Sequence, residues 1–366
     1  MKIVVLGTRG IPDIPGGVET HCQSLYPRLV ERGCEVVIVT RKPYISDIEV
    51  KEYKGIQLKH LFAPRIKSFE AIVHTFLGIC YARWASADVV HVHAVGPALL
   101  IPFARLLGLK VVMTNHGPDY DRQKWGSVAS FILRMGEKVG GKFANEVIVI
   151  SNVIAEIVRE NCNKPSHLIY NGVQIPHIST DTSYIESLSI KSGQYILAVA
   201  RFVPEKGLHD LVEAFKNIHL DCHLVIAGDS DHEDEYSFKL KETCHKNNNI
   251  VLTGYITGDD LHQIFSHAKM FVLPSYHEGL PISLLEALSY GLIPLVSDIP
   301  ANLEVGLDSK YYFQCGNAVD LSKKLASHSV ISFDQQQQEN FRNFVREKYN
   351  WDDIADQTNC VYQLLN

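Results

Sequence analysis

The densest chemistry in the chain lies in Pro274-Ser-Tyr-His-Glu278-Gly279-Leu280-Pro281, which runs on through Glu286 to Gly291. Proline suits the first turn of a helix, where its missing N–H would have no partner in any case. Pro281 therefore predicts a helix over 281–290, with Gly279 and Leu280 presenting backbone amides at its positive end. Such an end is suited to a phosphate group. Glu278 stands just ahead of it. Glu286, eight residues on, falls among Ile282, Leu284, Leu285, Ala287 and Leu288. A carboxylate in apolar company needs hydrogen-bond partners, and sugar or ribose hydroxyls would supply them. The plainer reading makes Glu278 a helix-end charge and Glu286 a salt-bridged edge of the core.

A second cluster, Arg201-Phe-Val-Pro-Glu-Lys206-Gly207, follows a short apolar run. An arginine fork and a lysine point charge at one strand end can converge on a diphosphate. A solvated basic pair is the alternative. Near the amino terminus, Gly16-Gly17 precede a helical stretch and would allow backbone to approach a phosphate. The dinucleotide fingerprint Gly-x-Gly-x-x-Gly is missing from this turn, which argues against an oxidoreductase. His116 follows the apolar run 110–114, at a position suited to a polar group beside a reacting centre. His91 and His93, two apart on a predicted strand, point the same way. No third metal ligand is evident from spacing, so they read as cleft-lining or structural, with no metal expected.

These residues need strand ends to carry them. Short β-branched runs at 3–6, 35–40, 89–93, 110–114 and 146–150 alternate with helical stretches such as 18–32 and 127–143. The second half repeats this, with strands at 195–200, 223–227, 250–253, 270–273 and 293–296. Its helices fall at 207–217, 236–245, 259–267, 281–290 and 318–326. Strands alternating with helices imply parallel pairing through right-handed crossovers, hence doubly wound α/β sheets. The expected organisation is an amino-terminal Rossmann-like domain over 1–178 and a second over 179–345. A terminal helix in 346–366 would pack back on the first, and 174–194 reads as the linker. Ligands are expected at the carboxyl ends of the strands, in a cleft between the domains.

Composition narrows the class. The 366 residues are 46% hydrophobic and 21% charged, with formal net charge -6, as in a folded soluble protein. Residues 1–180 carry 21 Lys and Arg against 15 Asp and Glu, whereas residues 181–366 carry 14 against 26. The basic half would suit an anionic surface or acceptor. Eight scattered cysteines form no Cys-x-x-Cys pair, which fits reduced thiols in the cytosol. The opening Met1-Lys-Ile-Val-Val-Leu-Gly reads as a strand and turn rather than a signal peptide.

The spacing Glu278-x7-Glu286, the Glu-Gly-Leu-Pro start and Arg201-Phe-Val-Pro-Glu-Lys206-Gly207 together resemble family 4 glycosyltransferases. Further matching pieces are Asp88-Val-Val-His-Val-His93, Thr114-Asn-His116-Gly117, Tyr170-Asn171-Gly172-Val173 and Ala227-Gly228-Asp229. The opening Gly7-Thr-Arg-Gly-Ile-Pro with Gly16-Gly17-Val-Glu19-Thr resembles a bacterial subgroup that includes rhamnosyltransferases of surface-polysaccharide assembly. The resemblance implies the two-lobed GT-B fold and retaining transfer from a nucleotide-sugar donor, without a metal or other cofactor. By it, Arg201 and Lys206 neutralise the leaving diphosphate and Glu278 places the donor sugar. Glu286 binds the ribose, the 279–281 backbone holds phosphate and sugar, and His116 contacts the sugar or its phosphate. Thr253-Gly254-Tyr255 faces the base, although Tyr255 reads equally well as a packed aromatic.

The implied partners are a UDP- or dTDP-sugar and a glycan or lipid-linked acceptor, with no nucleic acid. Basic residues flank apolar stretches in Arg65-Ile-Lys67-Ser-Phe69 with 71–81, and in Arg122-Gln-Lys124-Trp125 with 128–135. Both suit peripheral contact with an anionic cytoplasmic membrane face, and ordinary buried helices would give the same patterns. Two other functions stay open: a nucleotide-sugar 2-epimerase, which shares the architecture, and a non-catalytic nucleotide-sugar-binding subunit.

Overall fold

The computed structural model describes all residues except 46, 67–68, 118–125, 219, 231–232, 330–334 and 366, and all side chains of these except that of Ser329. The chain divides into two compact units, Met1–Gly172 with Trp351–Asn366, and Val173–Asn350. The Arg122-Gln-Lys124-Trp125 segment and Lys67-Ser68 lie outside the described residues.

The first unit is built on strands β1 (Lys2–Leu6), β2 (Glu35–Arg41), β3 (Glu52–Tyr53) and β4 (Ile56–Leu61). After them come β5 (Val89–His93), β6 (Val111–Asn115), β7 (Glu146–Val149) and β8 (His167–Leu168). The sheet order is β3-β4-β2-β1-β5-β6-β7-β8. All pairs are parallel except β3 with β4. Central strands buried on both faces read as continuous apolar runs, which is why β1, β2, β5, β6 and β7 are legible in the sequence. β4 alternates buried and exposed positions through Lys59, and β3 and β8 are two residues each. None of these three has an apolar run to announce it. The terminal helix Trp351–Gln363 lies in this unit. Its Trp351, Ile354, Ala355, Val361 and Tyr362 join the same apolar core as Ile3, Leu25 and Ile38.

The second unit carries β9 (Tyr195–Val199), β10 (His223–Ala227), β11 (Ile250–Gly254), β12 (Met270–Leu273), β13 (Ile293–Ser297) and β14 (Tyr312–Phe313). They form an all-parallel sheet in the order β11-β10-β9-β12-β13-β14. Between 174 and 194, read as linker, the chain forms a short helix, Ser183–Ser187. Ile185 is buried there, and the Tyr184 amide donates to Gln263 Oε1 at 2.9 Å. The order of this sheet decides which turns share its carboxyl edge. β9 and β12 are far apart in sequence but adjacent in space, so the turns leaving their carboxyl ends meet.

Candidate functional site

Two of those turns carry the charged residues picked out from sequence. Lys206 Nζ lies 2.6 Å from Glu278 Oε1, and the side chains are 19% and 10% exposed. Ser275 Oγ donates to the same carboxylate oxygen at 2.7 Å. The backbone joins the turns as well, because the Tyr276 amide donates to Glu205 O at 2.9 Å. Gly207 adopts φ +61°, and a Cβ there would lie 2.1 Å from the Pro274 carbonyl oxygen. Only glycine admits that approach. From the next strand, Ser297 Oγ donates to Ser275 O at 2.5 Å, and Asn302 Nδ2 reaches Ser297 O at 2.9 Å. The loop bearing Glu278 is thus fixed from both sides. Arg201 leaves β9 on the same turn as Lys206 and is half-buried.

Pro281 caps the helix Ile282–Ser289, one position outside it rather than in its first turn. Its carbonyl accepts from Leu284 and Leu285, while the Ile282 amide turns back to Leu280 O. Among the described residues the Gly279 and Leu280 amides have no protein acceptor. They form a pair of unmet donors beside Lys206 and Glu278. Glu286 is on the first turns of this helix, and burial pushes its carboxyl up to about 7. No salt bridge among the described residues reaches it, so the salt-bridged reading is not what the fold builds. Tyr255 follows β11 and is 62% exposed, which removes the packed-aromatic reading.

The first unit holds the remaining candidates. Gly16 caps the helix Gly17–Glu31 with φ 149°. The carboxylate of buried Glu19 folds back over this turn, so that a Cβ on Gly16 would lie 2.0 Å from Oε2. Glu19 Oε1 accepts from the Arg9 amide at 2.9 Å. A protein carboxylate therefore already occupies part of the space beside Gly16, which sequence spacing did not show, while a Cβ on Gly17 would meet nothing within 4 Å.

His116 leaves β6 and meets His93 at the end of the adjacent β5, with Nε2 2.9 Å from His93 Nδ1. His93 Nε2 lies 2.6 Å from Tyr26 Oη, which is 2.9 Å from His91 Nδ1. His91 Nε2 contacts Thr114 Oγ1 at 2.7 Å, and Nδ1 lies 2.6 Å from Tyr362 Oη. His91 is therefore a hydrogen-bonded core histidine. His21, passed over in the sequence, enters from the helix Gly17–Glu31 with Nδ1 2.7 Å from Asn171 Oδ1. Burial, reinforced by neighbouring imidazoles, holds His93 and His116 well below the usual histidine range. Burial also pushes His21 down to about 4 and His91 to about 3. All four are neutral at neutral pH. Sequence spacing offered no third ligand beside His91 and His93. The fold supplies two, His21 and His116, and places them beside His93, not His91.

Two doubly wound parallel sheets with charged strand-end turns of this kind make up the GT-B fold. The match to known proteins makes the family explicit. "Glycosyltransferase Family 4" matches residues 15–175 and "Glycosyl transferases group 1" matches residues 181–357, and the chain belongs to this family. A Methanocaldococcus jannaschii protein known as an uncharacterized glycosyltransferase is 26% identical over 395 residues, covering 100% of this chain and 98% of its own. The Escherichia coli UDP-Gal:alpha-D-GlcNAc-diphosphoundecaprenol alpha-1,3-galactosyltransferase is 30% identical over 230 residues, 59% of each chain. In fold, sucrose-phosphate synthase from Thermosynechococcus elongatus superposes with TM-score 0.84 at 20% identity, covering 100% of this chain and 98% of its own. The Anabaena protein HepE, solved with UDP-glucose, gives 0.81 at 16%, covering both chains fully.

Proposed function

We propose that this enzyme transfers a sugar from a UDP- or dTDP-sugar, with retention, to a hydroxyl of a lipid-linked glycan during surface-polysaccharide synthesis. The observation that carries this reading is the Lys206–Glu278 pair set beside the unmet Gly279 and Leu280 amides. The relatives' own names support it. The E. coli relative is a UDP-Gal transferase acting on a diphosphoundecaprenol-linked sugar. A Campylobacter jejuni relative, 26% identical over 290 residues, is an N-acetylgalactosaminyltransferase acting on N,N'-diacetylbacillosaminyl-diphospho-undecaprenol.

In this mechanism Lys206 and Arg201, with the two amides, take up the negative charge of the departing nucleoside diphosphate. Fixed donors of this kind act where charge develops, and the diphosphate needs no metal counter-ion. Glu278 turns to the donor sugar as the diphosphate claims Lys206. The bond from the anomeric carbon to phosphate oxygen breaks as the acceptor oxygen bonds on the same face. The acceptor proton passes to the leaving phosphate. His116, neutral, contacts sugar or phosphate through one N–H, and Tyr255 lines the base. To test this, the enzyme is given UDP- and dTDP-sugars with a diphosphoundecaprenyl saccharide, with and without EDTA. Retained anomeric configuration by NMR and an EDTA-insensitive rate support the proposal. An epimer formed from the nucleotide sugar alone would favour the epimerase. Donor binding without turnover would favour the binding subunit.

Glu286 supplies a pH signature. With its carboxyl near 7, a large fraction is protonated at neutral pH. Ribose hydroxyls donate more strongly to the ionised form, so UDP binding should lower its pKa. Binding at pH 7 is then expected to release up to roughly half a proton, measured by titration calorimetry in buffers of different ionisation enthalpy. Glu286→Gln should abolish the release. Buffer-independent enthalpy in the unmodified enzyme would remove Glu286 from the ribose site.

Peripheral membrane contact fits the helix Ser127–Phe143. It exposes Val128 (72%), Phe131 (64%), Ile132 and Met135 on one face, with Arg134, Lys138 and Lys142 on the same helix. Among the described residues no helix is long and apolar enough to cross a membrane. Sedimentation with anionic vesicles at low salt is expected, and Phe131→Glu should abolish it. Equal sedimentation of that variant would clear this face of the role.

A further inference from the structure

Sugar transfer as proposed engages His116 but leaves His21 and His93 without a task. Nitrogens of His21, His93 and His116 all lie within 4.8 Å of one another. Ring centroids are 5.5 Å apart for His21–His93, 5.0 Å for His21–His116 and 5.2 Å for His93–His116. His21 and His93 are 5% and 0% exposed.

Their outer nitrogens show how they are set. Asn171 Oδ1 is an acceptor only, so at 2.7 Å it fixes the proton of His21 on Nδ1 and leaves the Nε2 lone pair facing inward. Tyr26 Oη sits 2.6 Å from His93 Nε2 and 2.9 Å from His91 Nδ1. With His93 donating to Tyr26, Tyr26 can donate to His91 Nδ1, which also faces Tyr362 Oη at 2.6 Å, and the His93 Nδ1 lone pair is left toward His116. Histidines that ligate a metal hold their second ring nitrogen on a partner in this way. A tetrahedral Zn2+ at about 2.0–2.1 Å from each nitrogen separates its ligands by roughly 3.3 Å. The 2.9 Å between His93 Nδ1 and His116 Nε2 must open by a few tenths of an ångström. His116 then carries its proton on Nδ1.

We infer that His21, His93 and His116 form a three-histidine site for a divalent transition-metal ion of the zinc type, with a fourth position open to water. Imidazole-only donor sets select Zn2+, Co2+, Ni2+ or Cu2+ over Mg2+ or Ca2+. The site lies in the first unit, whereas the diphosphate cradle lies in the second. His116 belongs to both assignments, so the metal site is tested by ion binding through His21 and Asn171 and not by turnover, which keeps the two failures distinguishable.

The test uses the full, tag-free chain stripped with chelator. Zn2+ is titrated by calorimetry, and Co2+ by visible absorption, whose intensity reports a four-coordinate ion. One ion per chain is expected. His21→Phe should weaken Zn2+ binding at least 100-fold, and Asn171→Ala by about 10- to 100-fold. His209→Ala, at the surface of the second unit, should leave it unchanged. Unfolding midpoints in EDTA show whether each variant is folded, and Asn171→Ala decides if His21→Phe is not. Absence of stoichiometric Zn2+ binding, or affinity unchanged in both His21→Phe and Asn171→Ala, would overturn the assignment. The three rings would then be a neutral hydrogen-bonded cluster.

Discussion

Glu278→Gln is expected to lower kcat by about 10²- to 10³-fold, the scale seen when one fixed electrostatic contact to a transition state is lost. Its unfolding midpoint should fall less than that of Lys206→Ala. The amide oxygen still accepts from Ser275 Oγ and from Lys206 Nζ, which approach the carboxylate at 2.7 Å and 2.6 Å. Lys206→Ala is expected to lose at least as much rate, but with a different stability signature. It strands a carboxylate that is only 10% exposed, and removing one partner of such a pair costs up to about 3–5 kcal/mol. Combining Lys206→Ala with Glu278→Gln should restore most of that stability and none of the activity. Steady-state kinetics and chemical denaturation on the three variants check this. Near-normal turnover in Glu278→Gln would end the assignment of the pair to catalysis.

Gly207→Ala should be a strongly damaging single-methyl change in the second unit. Alanine at φ +61° costs about 1–2 kcal/mol for its left-handed backbone. Its Cβ would also lie 2.1 Å from the Pro274 carbonyl oxygen, a backbone atom that cannot swing aside. The turns leaving β9 and β12 must then separate, which breaks the Tyr276-to-Glu205 hydrogen bond and pulls Lys206 from Glu278. A loss of about 3 kcal/mol or more and at least a tenfold weaker affinity for UDP are expected. Gly193→Ala is the control. Gly193 has φ +72° with nothing within 4 Å of the added methyl, so it carries the backbone cost alone. If Gly207→Ala proved no worse than Gly193→Ala in denaturation and UDP titration, the close approach of the two turns would be irrelevant.

Local physics accounts for the elements that are legible in the amino-acid order. Strands buried on both faces need unbroken apolar runs, so β1, β5, β9, β10 and β12 announce themselves, and with them the two parallel sheets. Proline and glycine mark turns through their own backbone limits, so the segments at 201–207 and 274–281 stand out as strand-end loops with charged residues. Edge strands such as β14, two residues long, and the short helix in the segment read as linker carry too little pattern to register. Their conformation is set by neighbours rather than by their own residues.

The amino-acid order by itself determined that Arg201, Lys206, Glu278 and His116 could do chemistry and would follow strand ends. Only the tertiary structure decided which strand ends are neighbours, because strand order in a sheet is a non-local property. That order joined Lys206 to Glu278 across 72 residues of chain. It also drew His21 and Asn171, 150 residues apart, into contact. No spacing rule reaches such distances, since the pairing depends on how whole sheets and helices exclude water together.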